Sequence, residues 1–237
     1  MIEPKIVAEQ LQWKQAAAEA AAEIIESGMV VGLGSGSTAK LFVDALGARV
    51  AGEGLKITGI PTSDATEAQA RALKIPLTTF AECQQIDLTV DGADEVRLGS
   101  LDLIKGHGGA LLREKIVASA SKRTVIVADE TKIVERLGLM VSVPVEVVRY
   151  GWQVTQLKLK SLGARPKMRM ISEGQPYITD GGNYIFHCNY GPLDDPKETA
   201  HHLDHVVGAV EHGLFLGFAT KVIVGGREGV KVYEKAQ

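Results

Sequence analysis

The chain has 237 residues, 45% of them hydrophobic and 23% charged, with a formal net charge of −3. That length supports a sizeable buried core in one large domain or one and a half. The acidic balance argues against a general nucleic-acid binder, and no apolar run approaches the roughly 18 residues needed to cross a bilayer.

The opening stretch, MIEPKIVAEQLQWKQ, mixes charged and apolar residues and does not read as a secretion signal. Cys83 and Cys188 lie far apart without metal-ligand spacing. Together these features point to free thiols in a reducing, cytoplasmic setting. His187 precedes Cys188, but strand neighbours point to opposite faces, so the pair is poorly placed to make a thiolate.

Residues 5–27 predict a helix, with KQAAAEAAAEII rich in helix formers and Ser27-Gly28 as its stop. A strand over 29–33 then enters the loop Gly34-Ser35-Gly36-Ser37, and helical spacing returns from Thr38 to Val50. Next come a strand over 56–60 and a helix ending near Leu73. Ser63 or Asp64 caps that helix, and Glu67 is spaced for a capping box. A strand over 86–90 ends at Asp91, a helix spans 109–121, and 124–128 with its core VIVA reads as a strand covered on both faces. Alternating strands and helices imply a doubly wound parallel sheet of Rossmann-like type.

The pattern changes near Pro144. Strand 143–148, helix 153–162, strand 165–171, a hairpin around Asp180-Gly181-Gly182 and helix 195–210 read as a small α+β domain of the split βαβ, ferredoxin-like type. Residues 214–218, 221–225 and 230–233 are strand-like and are expected to return to the first sheet. The expected division is therefore 1–141 plus 214–237 as the catalytic domain, and 142–213 as a smaller oligomerisation domain.

Gly32-Leu33-Gly34-Ser35-Gly36-Ser37-Thr38 lies where a strand hands over to a helix, a setting suited to phosphate. It is neither a Walker A loop nor a full dinucleotide fingerprint, and a tight turn with capping hydroxyls remains an alternative. Asp91-Gly92-Ala93-Asp94 carries two acids three residues apart, which can face one pocket or serve as turn acids. A divalent metal would gather more ligands than are spaced to help.

Lys105-Gly106-His107-Gly108-Gly109 offers a cation with room for a ligand beside the backbone, and Glu114 follows on the next helix as a candidate base. Lys14 and Lys132 are further anion-binding candidates, although Lys14 alone would read as a surface lysine. The loop after Leu33, Ser63-Asp64, Asp91 and the segment after VIVA all emerge at the carboxyl edge of the sheet, where open α/β sheets bind ligands. His201, His202 and His205 lack the glutamate of the zinc-protease pattern and read as an amphipathic face or subunit contact.

GLGSGSTA, TSDAT, DGADEV, KGHGGALLREK and ADETK, in this order and spacing, resemble the ribose-5-phosphate isomerase type A family across nearly the whole chain. The resemblance implies interconversion of D-ribose 5-phosphate and D-ribulose 5-phosphate in the non-oxidative pentose phosphate pathway, without metal or organic cofactor. It makes Glu114 the base that moves a proton between C2 and C1 through a cis-enediolate, with Lys105 stabilising the oxyanion. Asp91 would assist ring opening, and Asp94 would hold hydroxyls. Ser35, Gly36, Ser37 and Thr38, with Lys14 and Lys132, would hold phosphate. Gly92, Ala93, Gly106, His107 and Gly108 would line the sugar. The family implies a homodimer or homotetramer.

His107 stands where many members have glycine, and an imidazole beside the substrate would alter sugar selectivity. An isomerase of another aldose or ketose phosphate is one rival. A sugar-phosphate sensing module is another, expected to need a DNA-binding segment for which 237 residues leave no room and to have no use for Glu114. A nicotinamide-dependent dehydrogenase is disfavoured by the incomplete glycine fingerprint.

Overall fold

Ala17, Ala18, Ala21 and Ala22 line one side of the first helix and are buried. Alanine carries high helix propensity with almost no bulk, so this helix lies close on a sheet as a core element. In the computed structural model, which describes residues 4–235, it is α1 (Pro4–Glu23). Then follow β1 (Val30–Leu33), α2 (Ser37–Gly52), β2 (Thr58–Pro61), α3 (Asp64–Ala72), β3 (Leu88–Gly92), β4 (Glu95–Arg97), β5 (Asp102–Ile104), α4 (Leu111–Ser119) and β6 (Thr124–Asp129). A short 3-10 turn, Glu130–Lys132, leads to β7 (Val143–Val147), α5 (Trp152–Ser161), β8 (Arg165–Met168), β9 (Met170–Ser172), β10 (Gln175–Pro176) and β11 (Tyr184–Asn189). The chain continues through α6 (Pro196–Asp204), β12 (Ala209–His212), β13 (Leu214–Phe215), β14 (Lys221–Gly226) and β15 (Gly229–Glu234). Residues 1–3 and 236–237 of the expected first domain lie outside the described residues.

The main sheet has six strands in the order β15-β14-β6-β3-β1-β2, parallel throughout except for β15. Both faces are covered, as the VIVA run requires. Val125 and Val127 pack in one cluster with α1 and α2, while Ile126 and Ala128 pack in another with Leu103 and Phe215. From β1 the chain steps outward to β2, then crosses to β3 on the other side. The sheet therefore reverses its winding between β1 and β3, where open sheets leave a crevice beyond the strand ends.

A second, four-stranded sheet has the order β12-β7-β11-β8 and is antiparallel throughout. Leu159 of α5 and Leu203 of α6 bury against Phe186 and Cys188 on one of its faces. This is the expected split βαβ arrangement, completed by β12.

Several elements differ from expectation. The helix expected to Val210 stops at Asp204, because Gly208 takes a positive φ and Ala209–His212 pair with β7. Residues 214–215 join β5 and β4 in a separate three-stranded sheet instead of the first. The strand expected over 165–171 breaks at Arg169, whose guanidinium stacks 3.8 Å from the Tyr177 ring centre. Of residues 177–179, only Ile178 makes a bridge, to Tyr184. Ser63, not Asp64, caps α3, accepting from Thr66 N at 3.1 Å. Glu67 consequently forms no capping box and pairs with Arg71 one turn on.

Candidate active site

The short strand β5 ends one residue before Lys105, whose main-chain N–H donates to Gly213 O at 2.9 Å. This fixes where the side chain enters the core. Its Nζ lies 3.0 Å from Asp91 Oδ2 and 3.3 Å from Glu114 Oε2, and donates to Gly92 O at 2.6 Å. All three side chains are buried. Burial works against the ammonium, but Asp91 and Glu114 outweigh it and raise the lysine above its ordinary pKa.

The acids share the complementary effect. Asp91 Oδ1 accepts from Ser35 N at 3.0 Å and Gly92 N at 2.7 Å, yet burial still raises its pKa against the pull of Lys105. Burial pushes Glu114 up to about 8, with Lys105 opposing and the charges of Asp91 and Asp94 adding to the rise. Glu114 Oε2 has no hydrogen-bond partner among the described residues, since it approaches Nζ out of alignment. A desolvated, unengaged carboxylate oxygen beside a fixed cation is an arrangement for taking a proton from carbon.

The anion-binding side is built from backbone. Gly36, at φ 94°, is the N-cap of α2; no side chain caps the helix, and no acid occupies its first turn. Its first N–H groups and positive dipole end are therefore available to an anion. Lys14 Nζ donates to Ser37 Oγ at 3.2 Å and lies 3.9 Å from Asp129 Oδ2. Asp129 also caps the 3-10 turn that carries Lys132, accepting from Thr131 N at 3.0 Å. Ser35, Ser37, Thr38, Asp94, Lys105, Glu114 and Lys132 share the lining of one cavity of about 80 Å³ with Gly36, Gly92, Ala93, Gly106 and Gly108.

Two expected side chains are placed differently. The Ser35 hydroxyl, expected on phosphate, turns inward to the hydroxyls of Thr62, Ser63 and Thr66 at 2.7, 2.7 and 3.1 Å. The His107 imidazole does not enter the sugar pocket. Its Nε2 donates to Ser142 O at 2.9 Å, and the ring stacks on His187 at 4.6 Å. Only the main chain of His107 reaches the catalytic side, donating to Asp94 Oδ2 at 3.0 Å. Of the buried hydroxyls behind Ser35, sequence marks Ser63 as a cap and leaves Thr62 and Thr66 without a role, although TSDAT supplies all three.

Larger cavities lie elsewhere, about 770 Å³ beside α3 and about 830 Å³ beside β8, and neither is lined by Lys105. Ligand atoms of Asp204, Glu211 and His212 lie within 4.8 Å of one another, but Lys115 Nζ already holds Glu211 at 2.6 Å, so a metal would compete with a half-buried ammonium.

Close approach governs the loop after β1. A Cβ on Gly34 would lie 2.3 Å from Asp91 Oδ1. Because the same Cβ would lie 2.5 Å from the Asp91 Cα, Gly34→Ala is expected to displace both that carboxylate and the strand end, lowering kcat and the melting temperature together; a variant with the parental value of either would refute this.

A protein-family model described as Ribose 5-phosphate isomerase A (phosphoriboisomerase A) matches residues 58–229. The chain belongs to the ribose 5-phosphate isomerase A family. Ribose-5-phosphate isomerase A of Synechococcus sp. (strain JA-3-3Ab) is 51% identical to it over 223 residues, covering 94% of this chain and 97% of that protein. The solved ribose 5-phosphate isomerase A of Methanocaldococcus jannaschii superposes with a TM-score of 0.89 at 38% identity, over 94% of this chain and 98% of that one. A D-ribose-5-phosphate isomerase solved in complex with phospho-erythronic acid gives 0.90 at 38% identity, over 94% and 97%.

Proposed function

We propose that this chain interconverts D-ribose 5-phosphate and D-ribulose 5-phosphate by proton transfer through a cis-enediolate. The observation that carries this reading is Glu114 Oε2, buried without a hydrogen bond and 3.3 Å from Lys105 Nζ. Glu114 takes the proton from C2 of the open-chain aldose and returns it to C1. The negative charge that develops on the substrate oxygens meets the Lys105 ammonium. The hydroxyl proton at O2 leaves as O1 gains one, so the reaction is redox-neutral, and Asp91 and Asp94 serve those oxygens and ring opening. The α2 N-terminus with Ser37, Thr38, Lys14 and Lys132 holds the phosphate.

A direct assay tests this. Ribose 5-phosphate incubated with the protein in D2O should yield ribulose 5-phosphate with deuterium at C1, at a rate unchanged by a chelator. No conversion would sink the reading, and a chelator loss restored by added metal would overturn the cofactor-free mechanism.

The pH dependence follows from Glu114. The active base is the carboxylate, and its pKa is raised to about 8 in the free protein. The value of kcat/KM should therefore rise up to about tenfold per pH unit and level off near pH 8, well above the substrate phosphate's ionisation at about 6. A profile flat from pH 6.5 to 9 would contradict the assignment.

The same reading takes residues 1–141 plus 214–237 as the catalytic domain, and 142–213 as a domain through which copies associate as a homodimer or homotetramer. Val154, exposed at 71% on α5, supports such a contact. The net charge of −3 supports a role without nucleic acid, and the free thiols of Cys83 and Cys188 a cytoplasmic one. No helix among the described residues is long and apolar enough to cross a membrane.

A further inference from the structure

The loop from Lys105 to Gly108 is a wall between two spaces. Gly106 and Gly108 line the catalytic pocket, while His107 lines the cavity of about 830 Å³ beside β8. Lys160, Arg165 and Lys167 line that larger cavity, and no Asp or Glu does. Arg165 reaches only an amide oxygen, that of Asn189, at 3.4 Å, and neither lysine has a carboxylate partner among the described residues. In a chain of net charge −3, three cations facing one concavity without counter-charge make a local positive field.

The sheet aligns these groups. Lys167 pairs across strands with His187, and Arg165 with Asn189, so the four side chains share one face. His187 adds a second observation. Its Nδ1 is buried without any hydrogen-bond partner among the described residues. Burial, with the Arg169 guanidinium adding to it, lowers the ring's pKa to about 4, so it is neutral at pH 7. The ring lines the cavity beside Lys167 and so fixes one side of it. Met140, Val141 and Leu157 supply an apolar wall beside the charges.

We propose that this cavity is a second anion site, taking a small metabolite with two or more phosphate groups, and that its occupancy is felt in the catalytic pocket through His107. Three cations exceed the charge of a single phosphate, and the space is about ten times that of the catalytic cavity. The coupling route is one residue long. The His107 ring is fixed by Ser142 O and His187, its carbonyl accepts from Arg169 at 2.8 Å, and its N–H holds Asp94 Oδ2. A ligand that draws on His187 or the ring of His107 therefore shifts the donor that orients Asp94. The coupling half rests on the isomerase reading, whereas the binding half does not.

Titration calorimetry with inorganic pyrophosphate, on protein saturated with phospho-erythronic acid, tests both halves. One pyrophosphate per chain is expected under that saturation, bound tenfold or more weakly by Lys160→Glu/Lys167→Glu and by the milder Lys160→Gln/Lys167→Gln. Without pyrophosphate, both variants should keep the parental kcat and KM. Pyrophosphate should change kcat at saturating substrate in the parent alone, with sulfate at matched ionic strength inert. Binding that vanishes once the catalytic pocket is saturated would overturn the site, as would equal affinity in the variants. A change in oligomer mass in place of anion affinity would assign the cavity to a second copy and overturn it too. Binding without any effect on kcat would overturn the coupling.

Discussion

Replacing Glu114 by glutamine is expected to lower kcat by about 10²- to 10⁴-fold with KM nearly unchanged, the loss typical of a missing general base. Glutamine keeps the shape, so phosphate and sugar contacts persist, but its amide cannot accept the carbon-bound proton. Stability should move the other way. The raised pKa means that the fold favours protonated Glu114. This contribution is fully present below the unfolded value, near 4.5, and is lost as pH rises through about 8. A neutral amide escapes that loss, so the variant's melting temperature should gain on the parent's between pH 5 and pH 9. Retained turnover, or a melting difference independent of pH, would refute the assignment.

Lys105→Met should cost both activity and stability. It removes the cation at 3.0 Å from Asp91 and 3.3 Å from Glu114. Removing one partner of a buried ionic group typically costs about 3–5 kcal/mol, roughly 10 °C in melting temperature for a chain of this size. Without the lysine both carboxyl pKa values rise further, so the deficit should be smallest near pH 5 and grow as pH increases. Adding Asp91→Asn should restore much of the stability without restoring turnover. A loss of kcat by about 10²- to 10³-fold, as for a missing oxyanion donor, should persist in that double variant. If the double variant melts no higher than Lys105→Met, buried charge is not the cause.

The candidate catalytic residues are legible in sequence because their types are unusual for their surroundings. Asp91 ends an apolar run, Lys105 precedes glycines and Glu114 follows within a helical turn of Leu111. What spacing does not carry is the hairpin that folds Lys105 back between the two acids. Its strands, Glu95–Arg97 and Asp102–Ile104, are three residues each, too short for an alternation to register. Their third partner, Leu214–Phe215, comes from far along the chain. His107 illustrates a different limit: its position in the loop is readable, but the side its ring takes depends on Ser142 and His187, contributed by other elements. At 209–212, pairing with β7 overrides the helical run that precedes it.

The bond between Lys105 N and Gly213 O also sets an order of assembly. The main-chain position of Lys105 is held by a residue made long after it, beyond the whole second sheet. A growing chain can acquire the Gly34–Thr38 loop, the Asp91 strand end and the Glu114 helix, yet still lack the register that docks the ammonium. Closing so long a loop is slow compared with forming local helix. Docking of Lys105 is thus expected to follow formation of these local elements, leaving a partly folded chain with its acids but without the cation that balances them.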